Sequence, residues 1–535
     1  MKRVRWRVGG NPGRRFILAM LRWRTKGGRY KSQRLLEVAR IERNRSECVP
    51  VRLVVRPGMI FLAMSVTRPV IVIGAGISGL ACALRLHRSG IRVLVLEASD
   101  LPGGMIVTRE KNGFLFEAGP QCPRFARPLW ELVREAELED EFVRSTPRAT
   151  RFILKSGELH EAPFSVGRFV STRLVGASSK YRLLTEAVRR ARPPVCEESL
   201  AEFVRRKFDD DVLAYLVDPF ISAIYAGDTE KMGVESAFPF LARWERESGS
   251  VLRGAIRSSK PSLSGGPQAA SSPAGRRTLD LAGSLPRMGS FRTGLAALPK
   301  AIAGKLGDSI SFRARAESIE PAANGGVGSG WRLRLSDGEE VSASALVVTA
   351  PAYEAARLLQ KAAPRLSAML AEISYAPMAV VSSGYDRARV RNPLRGFGLM
   401  IPRREKLNTF FSVWNSSVFP GRAPEGKILM TSFTGGAANP TFVERDEADI
   451  ARIVEEEMGI VLGIEGPPIE RCVWRYLRAL PQFNLGHARR IAAVREALEE
   501  LPGVYLAGNY LQGRSLGDCA ELGSRTADKV KRLFS

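Results

Sequence analysis

Residues 69–97 read PVIVIGAGISGLACALRLHRSGIRVLVLE, and this stretch dictates a strand, a glycine turn, a helix and a second strand. PVIVIG is an apolar run of strand length, short enough to be buried on both faces of a parallel sheet. Gly74, Gly76 and Gly79 form G-x-G-x-x-G, and ISGLACALRLHRSG repeats its apolar residues at helical spacing until Gly90. IRVLVLE returns as a second buried strand with Glu97 at its tip. The acid follows the glycines at the distance that a dinucleotide site requires. Gly74 permits the tight turn, Gly76 lets backbone approach a pyrophosphate, and Gly79 lets the helix close on the strand. The helix N-terminus then offers free N–H groups and a partial positive charge that suit phosphates. Glu97 can accept hydrogen bonds from a ribose. A glycine triplet alone is weak evidence; all five parts in order point to a doubly wound α/β unit.

A chain of 535 residues has room for two or three domains. It holds no uncharged stretch long enough to span a bilayer as a helix. Its six cysteines (48, 82, 122, 196, 472 and 519) form no CxxC pair, which fits free thiols in a reducing compartment. The three histidines (87, 160 and 487) do not cluster, so no metal site is expected. The charge is unevenly spread. Residues 1–63 carry 17 Lys and Arg against Glu37, Glu42 and Glu47, a balance of +14 out of +26 for the whole chain. This extension has no sustained period. It reads as an anionic-surface or nucleic-acid tail, as an organelle transit peptide, or as upstream sequence before a start at Met64. The last reading is favoured, since the first strand follows Met64 closely.

Further along, LPGG and GFLFEAGPQ are turns that return the chain over the cofactor side. Residues 129–145 read as a helix and 151–163 as a hairpin around Lys155–Gly157. Residues 164–246 are mostly helical, with basic amphipathic pieces. Residues 258–277 are rich in Ser, Gly, Pro and Ala and read as a flexible loop. Residues 291–307 suggest a helix, 311–348 a small sheet ending in the buried strand ALVVTAP, and 375–440 an antiparallel sheet. VYLAGNY, a glycine turn and a final helix close the chain.

Four segments carry a family resemblance: IVIGAGISGLACALRL with LEASDLPGG; GFLFEAGP; DPFISAIYAGD with AFPFLARWERESGS; and LPQFNLGH with LAGNYLQGRSLGDCAELG. Over most of 68–533 the chain resembles the oxygen-dependent protoporphyrinogen oxidases, a branch of the flavin amine oxidase superfamily. The first and last segments also occur in amine oxidases and phytoene desaturases. YAGD, GFGLMIP and LPQFNLGH are more particular to the porphyrinogen enzymes. The resemblance implies a discontinuous Rossmann-like FAD-binding domain from 64–147, 285–350 and 490–535. It implies an antiparallel-sheet substrate domain at 351–489 and a membrane-associating helical insertion at 148–250, with a flexible loop at 251–284. By position, FAD contacts would come from Gly74, Ala75, Gly76, Ile77, Ser78, Gly79, Glu97, Ala98, Met105, Gly119, Pro120 and Gln121. Ala316 would join them through its backbone, with Tyr476, Gly513, Arg514 and Ser515. The substrate pocket would use Arg151, Phe397, Met400, Val413 and Phe433.

The implied reaction removes six hydrogens from protoporphyrinogen IX through FAD, with oxygen as acceptor and hydrogen peroxide as by-product. The cofactor carries such chemistry, so no acid, base or nucleophile set is needed. His487 is a candidate base, although LPQFNLGH reads as a structural turn. Arg151 suits a propionate arm through paired hydrogen bonds. Phe397, Met400, Val413 and Phe433 would supply flat apolar walls; without the resemblance they read as ordinary core. The partners implied are the porphyrinogen, oxygen and a peripheral membrane surface; a homodimer is compatible, and nucleic acid is not expected. The place implied is a bacterial cytoplasm or the inner face of its membrane. Alternatives are oxidation of coproporphyrinogen III, an FAD amine oxidase, a phytoene-desaturase-like enzyme, and a non-enzymatic fold with a basic tail.

Overall fold

The computed structural model describes residues 51–56, 59–64, 68–146, 149–188, 196–259, 288–322, 330–513 and 515–534. The chain divides into Met1–Pro69 and Val70–Ser535. In the first unit, Val51–Arg56 and Met59–Met64 pair antiparallel, Val51 opposite Met64 and Arg56 opposite Met59. This hairpin corrects, over 51–63, the reading of 1–63 as lacking regular structure: apolar runs rich in Val, Leu, Ile and Phe on either side of Pro57–Gly58 suit two short strands.

In the second unit, a five-stranded parallel sheet runs in the order Ile310–Ser311, Val93–Leu96, Val70–Ile73, Ala345–Val348, Val504–Leu506. Its strands come from three distant parts of the chain. Both faces are covered, as the apolar runs require. Val70 and Val72 face one core with the helices Ile77–Arg88, Arg127–Glu135, Ala297–Leu306 and Leu516–Lys531. Ile71 and Ile73 face the other, which is closed by the antiparallel strands Ala316–Pro321, Trp331–Leu335 and Glu340–Ala343 and by the helices Ala352–Leu359, Pro364–Ala371 and His487–Glu499. The first and last helices of this unit lie together. Gly523 leaves no room for a Cβ beside the Ser78 carbonyl, and Arg85 forks onto Asp528 at 2.8 and 3.0 Å.

The expected helix over 129–145 instead spans Arg127–Glu135. Glu137 has φ +58°, and Phe142–Arg144 continues as a strand against Gly289–Phe291. Edge-to-face packing of Phe142 on Phe125 and Trp130, with centroids 4.7 and 5.0 Å apart, favours this course.

A second, seven-stranded sheet runs Glu470–Pro481, Tyr375–Asp386, Lys427–Gly435, Thr409–Val413, Gly398–Met400, Arg151–Lys155, Glu158–Glu161. The expected hairpin at 151–161 therefore belongs to this sheet, pairing parallel with Gly398–Met400, and not to the helical insertion. The insertion proper begins at Val166 and runs through Ser259. Helix Val251–Ser259 occupies the start of the segment expected as a loop at 251–284. Glu186 holds that helix start, accepting from Val251 N at 3.0 Å, Leu252 N at 3.1 Å and Ser250 Oγ at 2.6 Å. Residues 260–284, the rest of that expected loop, lie outside the described residues, as do 285–287. Inside the insertion, Lys207 is buried with its Nζ 2.6 Å from Glu245 and 3.5 Å from Glu186. Arg403, from the loop after Met400, grips Asp218, Asp228 and Thr229 of the DPF and YAGD segments, which fastens the insertion to the sheet. No helix among the described residues is long and apolar enough to cross a membrane.

Glu117 ends the strand Phe114–Glu117 and is buried at the junction of three segments. It accepts from Thr108 Oγ1 at 2.7 Å and from Leu295 N at 2.8 Å, just before the helix Ala297–Leu306. Burial pushes its carboxyl from the ordinary 4.5 up to about 7. The folded chain therefore holds this proton when the unfolded chain has lost it, and stability falls as pH rises from about 4.5 through about 7, by roughly 3 kcal/mol. Thermal denaturation should show Glu117→Gln gaining on the parent protein between pH 5 and pH 8. Parallel pH profiles would show that Glu117 does not titrate in this window.

Candidate functional site: a nucleotide cradle beside an aromatic wall

The glycine turn has the space that a nucleotide needs. Gly74 has φ +104°, and a Cβ on it would stand 2.8 Å from Thr349 Oγ1. Gly79 lies too close to the Gly74 carbonyl for any side chain. Gly76, between them, faces open space: a Cβ there would meet nothing within 4 Å. It is also the N-cap of the helix Ile77–Arg88, whose first turn has neither a side-chain cap nor an acid. An uncapped helix start behind an open glycine is the donor set that a pyrophosphate takes. The residues present thus fit the adenine dinucleotide end of FAD. Gly103 N donates to Ala75 O at 2.8 Å, which lays the LPGG turn beside Gly76.

Glu97 sits at the strand tip. One carboxylate oxygen accepts from Ala75 N at 2.6 Å, the other from Ser99 N at 2.9 Å and Ser99 Oγ at 2.8 Å. Ala98 is exposed beside it. Ile77 and Ser78 are buried against the last helix, so any phosphate contact from them comes through backbone N–H. Ala316 pairs with Leu335, and its carbonyl accepts from Arg357 Nη2 at 2.8 Å. At the chain's far end Ser515 caps the last helix, accepting from Asp518 N at 3.1 Å and donating to Asp518 Oδ2 at 2.6 Å. Gly513 packs on that Asp518 carboxylate; Arg514 lies outside the described residues.

The residues expected near a flavin ring come together. Gly119 lies against the Met105 carbonyl with no room for a Cβ. Tyr476 donates to Ala118 O at 3.3 Å, and burial pushes its phenol up to about 12. Pro120 follows on the same turn. Gln121 is buried, its amide donating to Glu117 O at 2.9 Å and Gly119 O at 3.0 Å. Its side chain thus braces the turn.

Met105 and Tyr476 pack onto a cluster formed by Phe397, Val413 and Phe433 with Met378, Val380 and Ala226. Phe411 lies nearly parallel to both Phe397 and Phe433, at 6.4 and 5.7 Å between centroids. Together these rings form one flat wall of the seven-stranded sheet. Arg151 stands at its edge, with Cζ 4.4 Å from the centre of Phe397. The Arg151 guanidinium is half-buried, burial lowers its pKa, and among the described residues no carboxylate pairs with it. Met400 is set apart: it pairs with Phe411 but packs into the core shared with the helical insertion.

His487 is buried on its turn, its Nε2 2.9 Å from Tyr510 O and its ring stacked on Phe483 at 4.6 Å. That environment is structural. Among the described residues no acidic, His or Cys group could hold a metal. Sequence reasoning missed three contributors. Thr349 Oγ1 donates to Ile73 O at 2.8 Å and Gly74 O at 3.0 Å, which pins the turn. Phe411 completes the wall. Ala226, in the left-handed region at φ +45°, enters the cluster from the helical insertion. The YAGD motif was its visible signal.

A model of flavin containing amine oxidoreductases matches residues 77–531. The chain belongs to that family. It is an FAD-dependent oxidoreductase. It is 31% identical over 492 residues to protoporphyrinogen oxidase 1 of Arabidopsis thaliana chloroplasts, covering 88% of this chain and 89% of the relative. It is 30% identical to coproporphyrinogen III oxidase of Bacillus subtilis (strain 168), covering 87% and 98%. A crystal structure from Exiguobacterium sp. 255-15, assigned to the protoporphyrinogen oxidases, superposes with a TM-score of 0.72 at 25% identity over 88% of this chain and all of that one. Reduced UDP-galactopyranose mutase shares the fold with a TM-score of 0.64 at 18% identity.

Two substitutions separate the fold of this flavin-containing oxidoreductase from its cofactor. Gly76→Val places its branches in open space, so the protein should fold with a thermal midpoint close to the parent's while purifying without the visible flavin bands. Gly79→Val strikes the Gly74 carbonyl and should give little folded protein. Absorbance spectra and thermal denaturation of both variants check the pair.

Proposed function

We propose that this enzyme oxidises protoporphyrinogen IX to protoporphyrin IX in haem synthesis, with oxygen as the terminal acceptor. The observation that carries the reading is Arg151, a half-buried guanidinium with no carboxylate partner among the described residues, at the edge of a wall of parallel phenyl rings. A porphyrinogen presents the complementary shape, a large apolar ring with carboxylate arms. FAD, when bound, would supply the hydride acceptance and the reoxidation by oxygen that the reaction needs. The protein's part is positioning. Phe397, Phe411, Phe433 and Val413 hold the macrocycle face to face with the turn carrying Gly119 and Pro120. Arg151 fixes its rotation through a propionate, and the buried cluster keeps water from the reacting carbon. Gly74–Gly79, Glu97, Ala98, Ala316, Gly513 and Ser515 would hold the dinucleotide, with Met105, Gln121 and Tyr476 as the further residues that would hold the cofactor.

The relative named coproporphyrinogen III oxidase keeps a second reading open, in which the substrate has more carboxylate arms. The two are separated by turnover. The purified chain should form protoporphyrin fluorescence in air, faster than coproporphyrin from coproporphyrinogen III, and neither under nitrogen. The reverse preference selects the second substrate. Arg151→Met should lower kcat/KM for the preferred substrate by roughly 10- to 100-fold, chiefly through KM, as expected for a lost charge-assisted pair.

We also propose that the helical insertion rests on an anionic membrane surface. Val170, Tyr181, Leu184 and Val188 are exposed there, with Phe164 just before it, among Arg168, Arg173 and Lys180. Co-sedimentation with anionic vesicles should be strong at low salt and weaken as salt rises. Equal recovery in the supernatant with and without vesicles overturns the proposal.

A further inference from the structure

Arg151 has two rings beside it. The centre of Phe397, in the wall, lies 4.4 Å from its Cζ, and that of Phe164 lies 5.7 Å from it. Unlike the wall residues, Phe164 is 63% exposed. Its place is set by the main chain. Ala162 N donates to Arg151 O at 2.8 Å, which extends the hairpin of Arg151–Lys155 with Glu158–Glu161 by one residue. Phe164 N then donates to Ala162 O at 3.0 Å. This tight turn ties Phe164 to the backbone of Arg151 itself. Ser165 follows at once as the cap of the helix Val166–Ser171, accepting from Arg168 N at 3.3 Å. The turn brings no acid to the guanidinium, because Glu161, which stands opposite Phe152, is engaged by Arg168. Among the described residues the Arg151 side chain has one hydrogen-bond acceptor, the Met288 thioether at 3.7 Å from Nη2, and a thioether accepts weakly. A ring attracts a guanidinium through its face, whereas a carboxylate takes the N–H groups in the guanidinium plane. The two demands do not compete.

We propose that Phe164 is a positioning residue for substrate binding: it holds the Arg151 guanidinium beside the Phe397 ring and screens it from bulk water while its N–H groups await a carboxylate arm. A guanidinium held in this way loses less side-chain freedom when the arm binds. A screened charge pair is also stronger than one in open water. Phe164 acts through Arg151 and touches no reacting atom. The inference rests on the porphyrinogen reading above and deepens it.

Steady-state kinetics of the FAD-loaded full chain with protoporphyrinogen IX, in the absence of vesicles, test it. Phe164→Ala should raise KM roughly threefold to fivefold with kcat nearly unchanged. Phe164→Tyr keeps the ring face and should restore the parent KM. Phe164→Leu keeps apolar bulk without a ring and should stay near the alanine value. In an Arg151→Met background, Phe164→Ala should change KM no further. An unchanged KM in Phe164→Ala overturns the inference, as does a leucine variant equal to the parent. The same rise in KM with and without Arg151 also overturns it. A rise seen only when anionic vesicles are added overturns it too, and assigns the ring to the membrane surface alone. Phe164 is exposed, so each variant should keep a thermal midpoint close to the parent's; if Phe164→Ala does not, the tyrosine and leucine variants carry the comparison. A parent enzyme that binds FAD but turns over neither protoporphyrinogen IX nor coproporphyrinogen III overturns the substrate reading itself.

Discussion

Two approaches of backbone to backbone set the geometry of this enzyme: Gly79 on the carbonyl of Gly74, and Gly523 on the carbonyl of Ser78. The first lets the helix Ile77–Arg88 close down on its strand, so that its free N–H groups converge in front of Gly76. The second lets the last helix lie along the same helix, tying the end of the chain to its glycine turn. Neither contact tolerates a methyl group. Main-chain contact, together with the Thr349 hydroxyl that pins the turn, sets the distance from the parallel sheet to the helix start. That distance in turn fixes where a dinucleotide can sit.

The wall depends on a different kind of bond. Arg403 bridges the seven-stranded sheet to Asp218, Asp228 and Thr229, and Ala226 lies just before Gly227 and Asp228 at the end of the same helical run. The carbonyl of Ala226 accepts from Ala437 N at 2.7 Å. The helical insertion is thus clamped to the sheet at the point where it contributes to the cluster. A charged clamp near the site is costly to break, because it would leave carboxylates buried without a partner. It holds the position of Ala226 against the mobility expected of an insertion.

Much of this was legible in the sequence because it was local. The glycine spacing, the buried runs and Glu97 are read within thirty residues, and the structure places them as the spacing requires. The hairpin at 151–161 was legible as a hairpin, yet not as part of the seven-stranded sheet, because its partner Gly398–Met400 lies far along the chain. Thr349 was invisible for the same reason: its two acceptors are on another strand. The end of the helix Arg127–Glu135 was misread because an aromatic cluster overrode a continuing apolar pattern.

The parallel sheet takes neighbouring strands from residues near 70, 93, 310, 345 and 504. During synthesis, the glycine turn emerges long before the strand Val504–Leu506 and the helix that packs on it. The sheet therefore cannot close, nor can the helix start at Ile77 be locked in place, until residues up to about Lys531 have left the ribosome. Contacts of such long sequence separation also slow the search for the native state. Flavin capture is thus a late event in the life of each molecule, and the early glycine turn spends its first moments as an unsupported loop.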